Sequence, residues 1–359
     1  MKSCVLCFLL LLMIVSVSFS QNKDFNIIAY YSRGPEMVDS LPAEKLSHII
    51  FSFCHLQGNK LTVDNKLDSL TISKLVNLKN RNPKLKIILS LGGWGGCKTC
   101  SDVFSTKEGI TEFSESTLAL CRSFGADGLD LDWEYPAIEG YPGHPYKPQD
   151  KSNFTTLVKI LRKTLGDQYE LSFAAGGFQK FLDESTDWAA VMREVDRVNV
   201  MSYDLINGYS TVTGHHTALY STPSQKESTH NAVQYLIGIG VPRDKIVIGA
   251  AFYARVWENV PDIKNGLYQS GKFKTGIDFR DFSSRLKGFE FYWDDVAKAP
   301  YAYHPKEKLF ATFDDRKSIA LKTNYVIDNK LDGIMFWEIS HDIFNDGLVD
   351  VIYNVKTKK

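Results

Sequence analysis

Residues 127–136 read Asp127-Gly128-Leu129-Asp130-Leu131-Asp132-Trp133-Glu134-Tyr135-Pro136, with acids and large apolar side chains taking turns. Side chains on a strand alternate sides. Asp130, Asp132 and Glu134 therefore share one face, and Leu129, Leu131 and Trp133 share the other. The apolar face suits packing against helices. The acidic face then has to point inward, where three carboxyl groups repel one another and lose hydration, a costly arrangement without a purpose. Pro136 and the Gly/Pro-rich loop behind it end the strand, which puts Glu134 at its C-terminal tip.

Similar apolar runs flank this one. They are Asn26–Tyr31, His48–Phe53, Lys86–Leu91, Glu170–Ala175, Arg197–Ser202, Ile246–Ala251 and Gly333–Trp337, which with Gly128–Trp133 makes eight. Their Ile, Val, Leu and Phe content fits strands covered on both faces. Helical spacing lies between them, over Ile72–Asn80, Ile110–Phe124, Phe154–Leu165, Thr229–Ile237 and Ile319–Asp328. Eightfold strand–helix alternation predicts a closed (β/α)8 TIM barrel. The rival, an open doubly wound sheet, lacks its G-x-G-x-x-G fingerprint after the first strand. About 80 residues separate the last two runs, far more than one βα unit uses. Residues 257 to about 314 are expected to form a small α+β lobe inserted in the barrel.

Lys plus Arg and Asp plus Glu both number 42 in 359 residues, so the chain has no basic footprint for nucleic acid. Lys2, the apolar run Val5–Val15 and the small-x-small Ser18-Phe19-Ser20 before Gln21 predict a secretion signal over residues 1–20. The mature chain, 21–359, is then expected outside the cytoplasm, free of the membrane and monomeric. Export makes disulfides permissible. Cys54, Cys97, Cys100 and Cys121 allow three pairings that sequence does not choose among. Cys97 and Cys100 lack the second close pair of a zinc ribbon, so a structural loop disulfide is the preferred reading. His215-His216, in a Thr/Gly/Ser-rich loop, is expected at the surface. Asn153-Phe154-Thr155 is a glycosylation sequon that also offers Asn153 as a helix N-cap. A calcium loop would need a sharp glycine turn among its acids, where this chain has Leu and Trp. No metal and no cofactor is expected.

Adjacent carboxyl groups push each other's pKa values apart, so one stays protonated and can donate to a leaving oxygen. At this point the resemblance becomes specific. Asp127 to Glu134, DGLDLDWE, resembles the D-G-x-D-x-D-x-E signature of family-18 glycoside hydrolases, the chitinases and their relatives. Ser90-Leu91-Gly92-Gly93 resembles that family's S-x-G-G, and Met201-Ser202-Tyr203-Asp204 its M-x-Y-D. Gly249 to Trp257 resembles G-x-P-F-Y-G-R-x-W, with Ala251 and Ala254 in place of Pro and Gly. Gly333 to Glu338 resembles G-x-M-x-W-E. The family is among the substrate-assisted glycosidases. The resemblance implies that Glu134 is the general acid and base and that the substrate's acetamido oxygen is the nucleophile. It implies that Asp132 steadies the acetamido group, Asp130 modulates Asp132, and Tyr203 orients the attack. Trp337 would floor the site, with Asp204, Arg255, Trp94, Tyr30, Phe53 and Tyr253 as further substrate-binding residues. Asp127 falls out of phase and reads as structural. Chitin or chitooligosaccharides are the implied substrates. A non-cutting chitin lectin and an enzyme acting on N-glycan cores are the alternatives.

Overall fold

The structure, a computed structural model, describes residues 24–358. Strands β1 (Asn26–Tyr31) and β2 (His48–Gln57) open the barrel, and β3 (Lys60–Thr62) folds back on β2 as a short hairpin. They are followed by α1 (Lys66–Asn77), β4 (Lys86–Gly92), the single turn α2 (Cys100–Val103), α3 (Lys107–Phe124) and β5 (Gly128–Asp132). Next come α4 (Asp150–Leu165), β6 (Glu170–Gly176), the short α5 (Gln179–Glu184) and α6 (Trp188–Val191), β7 (Arg197–Met201), α7 (Thr229–Gly238) and β8 (Ile246–Ala251). The parallel strands run β1-β14-β8-β7-β6-β5-β4-β2, where β14 is Gly333–Trp337, and β1 also pairs with β2, which closes the barrel. All eight predicted runs are barrel strands. No described helix is long and apolar enough to cross a membrane.

The inserted region is a second sheet of five antiparallel strands. Its members are β9 (Tyr253–Glu258), β10 (Lys272–Asp278), β11 (Glu290–Asp294), β12 (Ala299–His304) and β13 (Leu309–Thr312), with the single turn α8 (Phe282–Arg285) between β10 and β11. The sheet begins at Tyr253, with only Phe252 between it and the end of β8, and so earlier than the expected residue 257. Helix α9 (Arg316–Asn329) leads back into β14, and α10 (Leu348–Thr357) closes the chain.

Helices α1, α3, α4 and α9 begin earlier than apolar periodicity indicates, because their first turns are polar, whereas α7 begins at Thr229 as expected. Asn65 accepts from the Leu67 and Asp68 amides ahead of α1, and Asp315 with Ser318 forms a capping box at α9. Asn153 is not a cap: α4 already starts at Asp150, and Asn153 lies inside its first turn. The outward faces of the strands join the helices in one core, where Leu129, Leu131 and Trp133 of the acidic stretch are buried with Phe104 and Phe154. Inside the barrel a small apolar set of Ile28, Ile50, Ile88, Val247 and Met335 fills the space that the polar residues leave.

Charges close the bottom of the barrel. Glu170 opens β6 and takes His48 Nε2 at 2.9 Å and Arg197 Nη1 at 2.5 Å, with Lys86 also on it. Arg197 reaches on to Asp332 at 2.9 Å, and Asp332 receives Asn26 Nδ2 at 3.1 Å. Side chains thus tie five barrel strands at their N-terminal ends, beside the backbone bonds there. Burial opposes the Glu170 charge, but His48 and Arg197 outweigh it and hold its carboxyl far below the usual range. Replacing Glu170 by Gln leaves Arg197, largely enclosed, with Asp332 but without its Glu170 carboxylate, and should cost about 2 kcal/mol in urea unfolding at neutral pH. A carboxyl whose folded pKa is depressed contributes fully above its unfolded value and loses that contribution as pH falls. The stability gap between wild type and Glu170→Gln should therefore narrow below about pH 4.3; a gap that stays constant would refute the ionic account.

Candidate active site

Strand β5 carries Asp130 and Asp132 up the barrel interior, and Glu134 follows just beyond its end. Asp130 has no exposed surface. Its Oδ2 accepts from Tyr30 Oη at 3.0 Å and Ser90 Oγ at 3.1 Å, and its Oδ1 from Ser172 Oγ at 2.6 Å and Asn199 Nδ2 at 3.0 Å. Four donors from four strands fill the acceptor positions of one carboxylate. Burial raises the Asp130 pKa and these hydrogen bonds pull it back. Asp132 has less help: its Oδ1 is buried with no hydrogen-bond partner among the described atoms. Burial first, then Glu134 and Asp130, push its carboxyl well up. Glu134, half-buried at the rim, is pushed up to about 7, chiefly by burial and further by the Asp204 charge, with a hydrogen bond from Tyr135 opposing. A carboxyl titrating there holds its proton over much of the neutral range and can also return as a base.

The glycines ahead of Trp94 let neighbours close in. Gly93 has φ 78°, donates its amide to Asp132 O at 2.9 Å, and a Cβ there would lie 2.2 Å from the Phe53 ring. Phe53 stacks on Trp337 with centroids 5.7 Å apart and planes 14° off parallel. This pair, Phe53 midway along β2 and Trp337 at the end of β14, is a flat apolar floor. Tyr203, just past β7, is nearly enclosed, packs edge-on to Tyr253 at 6.3 Å and points its hydroxyl at Met335 Sδ, 3.7 Å away. Asp204 follows with φ 55° and is gripped by the Arg255 guanidinium through both carboxylate oxygens. Burial works against its charge, yet Arg255 and His216 hold Asp204 well below the ordinary range. Trp94, 46% exposed, touches Tyr135, Tyr141 and Tyr209 at 6.3, 5.6 and 6.2 Å between centroids. Rings from the loops after β4, β5 and β7 thus meet beside Glu134.

Some expectations need correcting. Tyr30 is not open to a substrate: it is 1% exposed, and its hydroxyl is bound to Asp130 beneath the site. His215 and His216 are not at the surface either. Both are fully buried, because their loop is clamped between barrel and lobe by Gln225, which accepts from the His215 amide at 2.9 Å, and by Thr312. His215 Nε2 meets Asp294 of the lobe at 3.0 Å. Cys97 and Cys100 are bridged, and Cys54 and Cys121 are buried free thiols. Asp127 takes the Ile87 amide at 2.7 Å and Lys79 at 2.6 Å, away from the acids.

Ser90, Ser172 and Asn199 were not singled out from sequence as partners of Asp130. A signal was present: Ser172 in Glu170–Gly176 and Asn199 in Arg197–Met201 are polar residues on inward phases of otherwise apolar strands. His216 carries no such signal, since loop residues have no periodicity to betray them.

Fold and site together define a TIM-barrel protein built around a column of carboxyl groups. Residues 26–342 match the family described as Glycosyl hydrolases family 18, and the chain belongs to it. Chitinase A1 of Niallia circulans is 34% identical over 298 residues, covering 76% of this chain and 42% of that protein. Oviduct-specific glycoprotein of Mus musculus is 30% identical over 92% of this chain and 49% of its own length. The chain thus spans about half the length of these relatives or less. Among solved structures, a family-18 N-acetylglucosaminidase from Paenibacillus barengoltzii superposes with a TM-score of 0.84 at 36% identity, over 92% of this chain and 99% of that one. The Group IV chitinase of Ostrinia furnacalis in complex with allosamidin gives 0.86 at 26% identity, over 93% and 99%.

Asp204→Asn removes a negative charge near Glu134 and frees the Arg255 cation, and both changes favour an ionised Glu134. Carbon NMR of the Glu134 carboxyl should show titration near 7 in the wild type and a lower midpoint in Asp204→Asn; an equal or higher midpoint contradicts this electrostatic coupling.

Proposed function

We propose that the protein is a secreted glycoside hydrolase that cuts β-1,4 bonds between N-acetylglucosamine units with retention at the anomeric carbon. The observation that carries the reading is Glu134, held near neutral titration at the rim above two further inward acids. The floor of Phe53 and Trp337 supports it, because flat rings take the C–H faces of a sugar. So does the resemblance to proteins named chitinases and to one bound to allosamidin. The apolar leader over residues 1–20 lies outside the described residues; with the Cys97–Cys100 bridge it favours an oxidising compartment outside the cytoplasm.

The steps balance as follows. Glu134 gives its proton to the glycosidic oxygen as the bond from that oxygen to the anomeric carbon breaks. The acetamido carbonyl oxygen of the same sugar bonds to the anomeric carbon and forms an oxazolinium ion. Asp132 Oδ1, buried without a partner, accepts from the acetamido N–H and so steadies the positive charge that grows on that group. Asp130, saturated by its four donors, cannot turn to compete for that N–H. In this reading the Tyr203 hydroxyl leaves Met335 Sδ and fixes the acetamido oxygen. Water then attacks the anomeric carbon and gives a proton to Glu134, the oxazolinium opens, and two inversions leave the configuration retained.

Chitotetraose followed by mass spectrometry tests the reading. Wild type should release shorter N-acetylglucosamine oligomers, EDTA should have no effect, and Glu134→Gln should lose roughly 100- to 10,000-fold in kcat. Binding without cleavage would support a lectin instead. Cleavage confined to N-glycan cores would move the substrate to glycoproteins.

A further inference from the structure

His216 is a buried imidazole that nothing in the mechanism above uses. Its ring has no exposed surface. Its main chain is locked, with the amide donating to Thr312 Oγ1 at 3.1 Å and the carbonyl accepting from the Leu205 amide at 3.1 Å. Its ring lies against Tyr253, 5.2 Å between centroids. Nδ1 stands 3.4 Å from Asp204 Oδ1, and neither ring nitrogen has a well-formed hydrogen bond among the described atoms. A buried polar group left this loosely satisfied calls for an explanation.

The charged and titratable groups around it are few. Asp204 faces it from its own loop, and Tyr253 and Arg255 face it from β9. Asp314, which follows β13, acts on it from farther off, and the fully buried Lys322 of α9 already pairs with Asp314 at 2.6 Å. Asp294 is taken up by His215. Burial, with Arg255, favours the neutral ring over the opposing pull of Asp204 and Asp314. A neutral ring beside a carboxylate keeps its proton on the nitrogen that faces it, here Nδ1.

We propose that His216 is a positioning residue for the reaction assigned to Glu134: its neutral Nδ1–H steadies the Asp204 carboxylate, and a second proton on the ring silences the site in acid. The inference rests on that assignment. Asp204 is already matched by the two-pronged grip of Arg255. An imidazolium at His216 adds a positive charge that no further acid in contact balances. That charge opposes the cationic oxazolinium through low-dielectric surroundings, where one charge acts strongly. Activity therefore falls on the acid side as His216 takes its proton.

The test uses the full chain and its unaltered wild type. Nitrogen NMR of the wild-type ring should show the Nδ1–H tautomer at pH 7 and titration below about 6.5. A proton on Nε2, or a charged ring at pH 7, overturns the proposal. Profiles of kcat/KM against pH on chitotetraose then compare wild type with His216→Asn, which offers a donor but cannot become charged. The acid limb of the variant should move down by about half a pH unit or more, while the basic limb stays in place because His216 is neutral where Glu134 titrates. Superimposed acid limbs, or a shift of the basic limb alone, overturn the proposal. Thermal melts of the variant show whether it folds, and if it does not the ring titration decides. Should wild type leave chitotetraose intact while the Nδ1–H tautomer is present, the Glu134 assignment fails and the His216–Asp204 contact stands.

Discussion

A carboxyl group with no exposed surface, Asp130, sits on the inner face of a closed barrel. Everything above it depends on making that group tolerable. Burying an unpaired charge costs far more than a single domain can offset, and burying one that is fully hydrogen-bonded does not. Tyr30, Ser90, Ser172 and Asn199 supply the bonds from β1, β4, β6 and β7, and those strands must hold one register for all four to reach. The cradle thus fixes Asp130, and strand alternation then places Asp132 above it and Glu134 at the rim. Asp132 is the member left unsatisfied. A column with its base saturated and its middle acid unpaired has one acceptor free to respond to a ligand.

How much of this was legible in the sequence follows from where periodicity acts. Period-two alternation exposed β5, its phase and the three acids, and buried apolar runs exposed the other seven barrel strands. Helix starts were blurred because Asn65, Asp315 and the polar first turns of α1, α3 and α4 lie outside the apolar repeat. The short helices α5, α6 and α10 were passed over, being too brief or too terminal to stand out. Tyr30 was misjudged for a different reason: a tyrosine at a strand end looks the same whether its hydroxyl meets sugar or a buried acid. His215 and His216 show the largest error. Loop composition suggested exposure, and only the tertiary clamp between two sheets encloses them.

Polar contacts between barrel and lobe are unusually deep. Lys322 of α9 and Asp314, both without exposed side-chain surface, meet at 2.6 Å, and Asp314 also takes the Ala251 amide of β8 and the Thr217 hydroxyl at 3.0 Å each. Replacing such a pair whole by well-packed apolar residues is often neutral, but removing one partner alone is expensive. The loop after β7, the end of β8 and the return from the lobe are therefore bound as one unit, and that unit presents Tyr203 and Asp204.

The junction at Phe252 separates what can be exchanged between relatives from what is bound to stay. One residue divides β8 from β9, and its ring lies flat on Phe336 at 4.2 Å. The first lobe strand is thus a continuation of the barrel, and it brings Tyr253 and Arg255 to Asp204. A lineage that shed the whole lobe would leave Asp204 without its guanidinium. On the far strands, Asp294 of β11 is tied to the buried His215 at 3.0 Å, whereas Phe291, 60% exposed, carries no such tie. A substitution at Phe291 then disturbs little, while one at Tyr253, Arg255 or Asp294 pulls on the loop that carries Asp204.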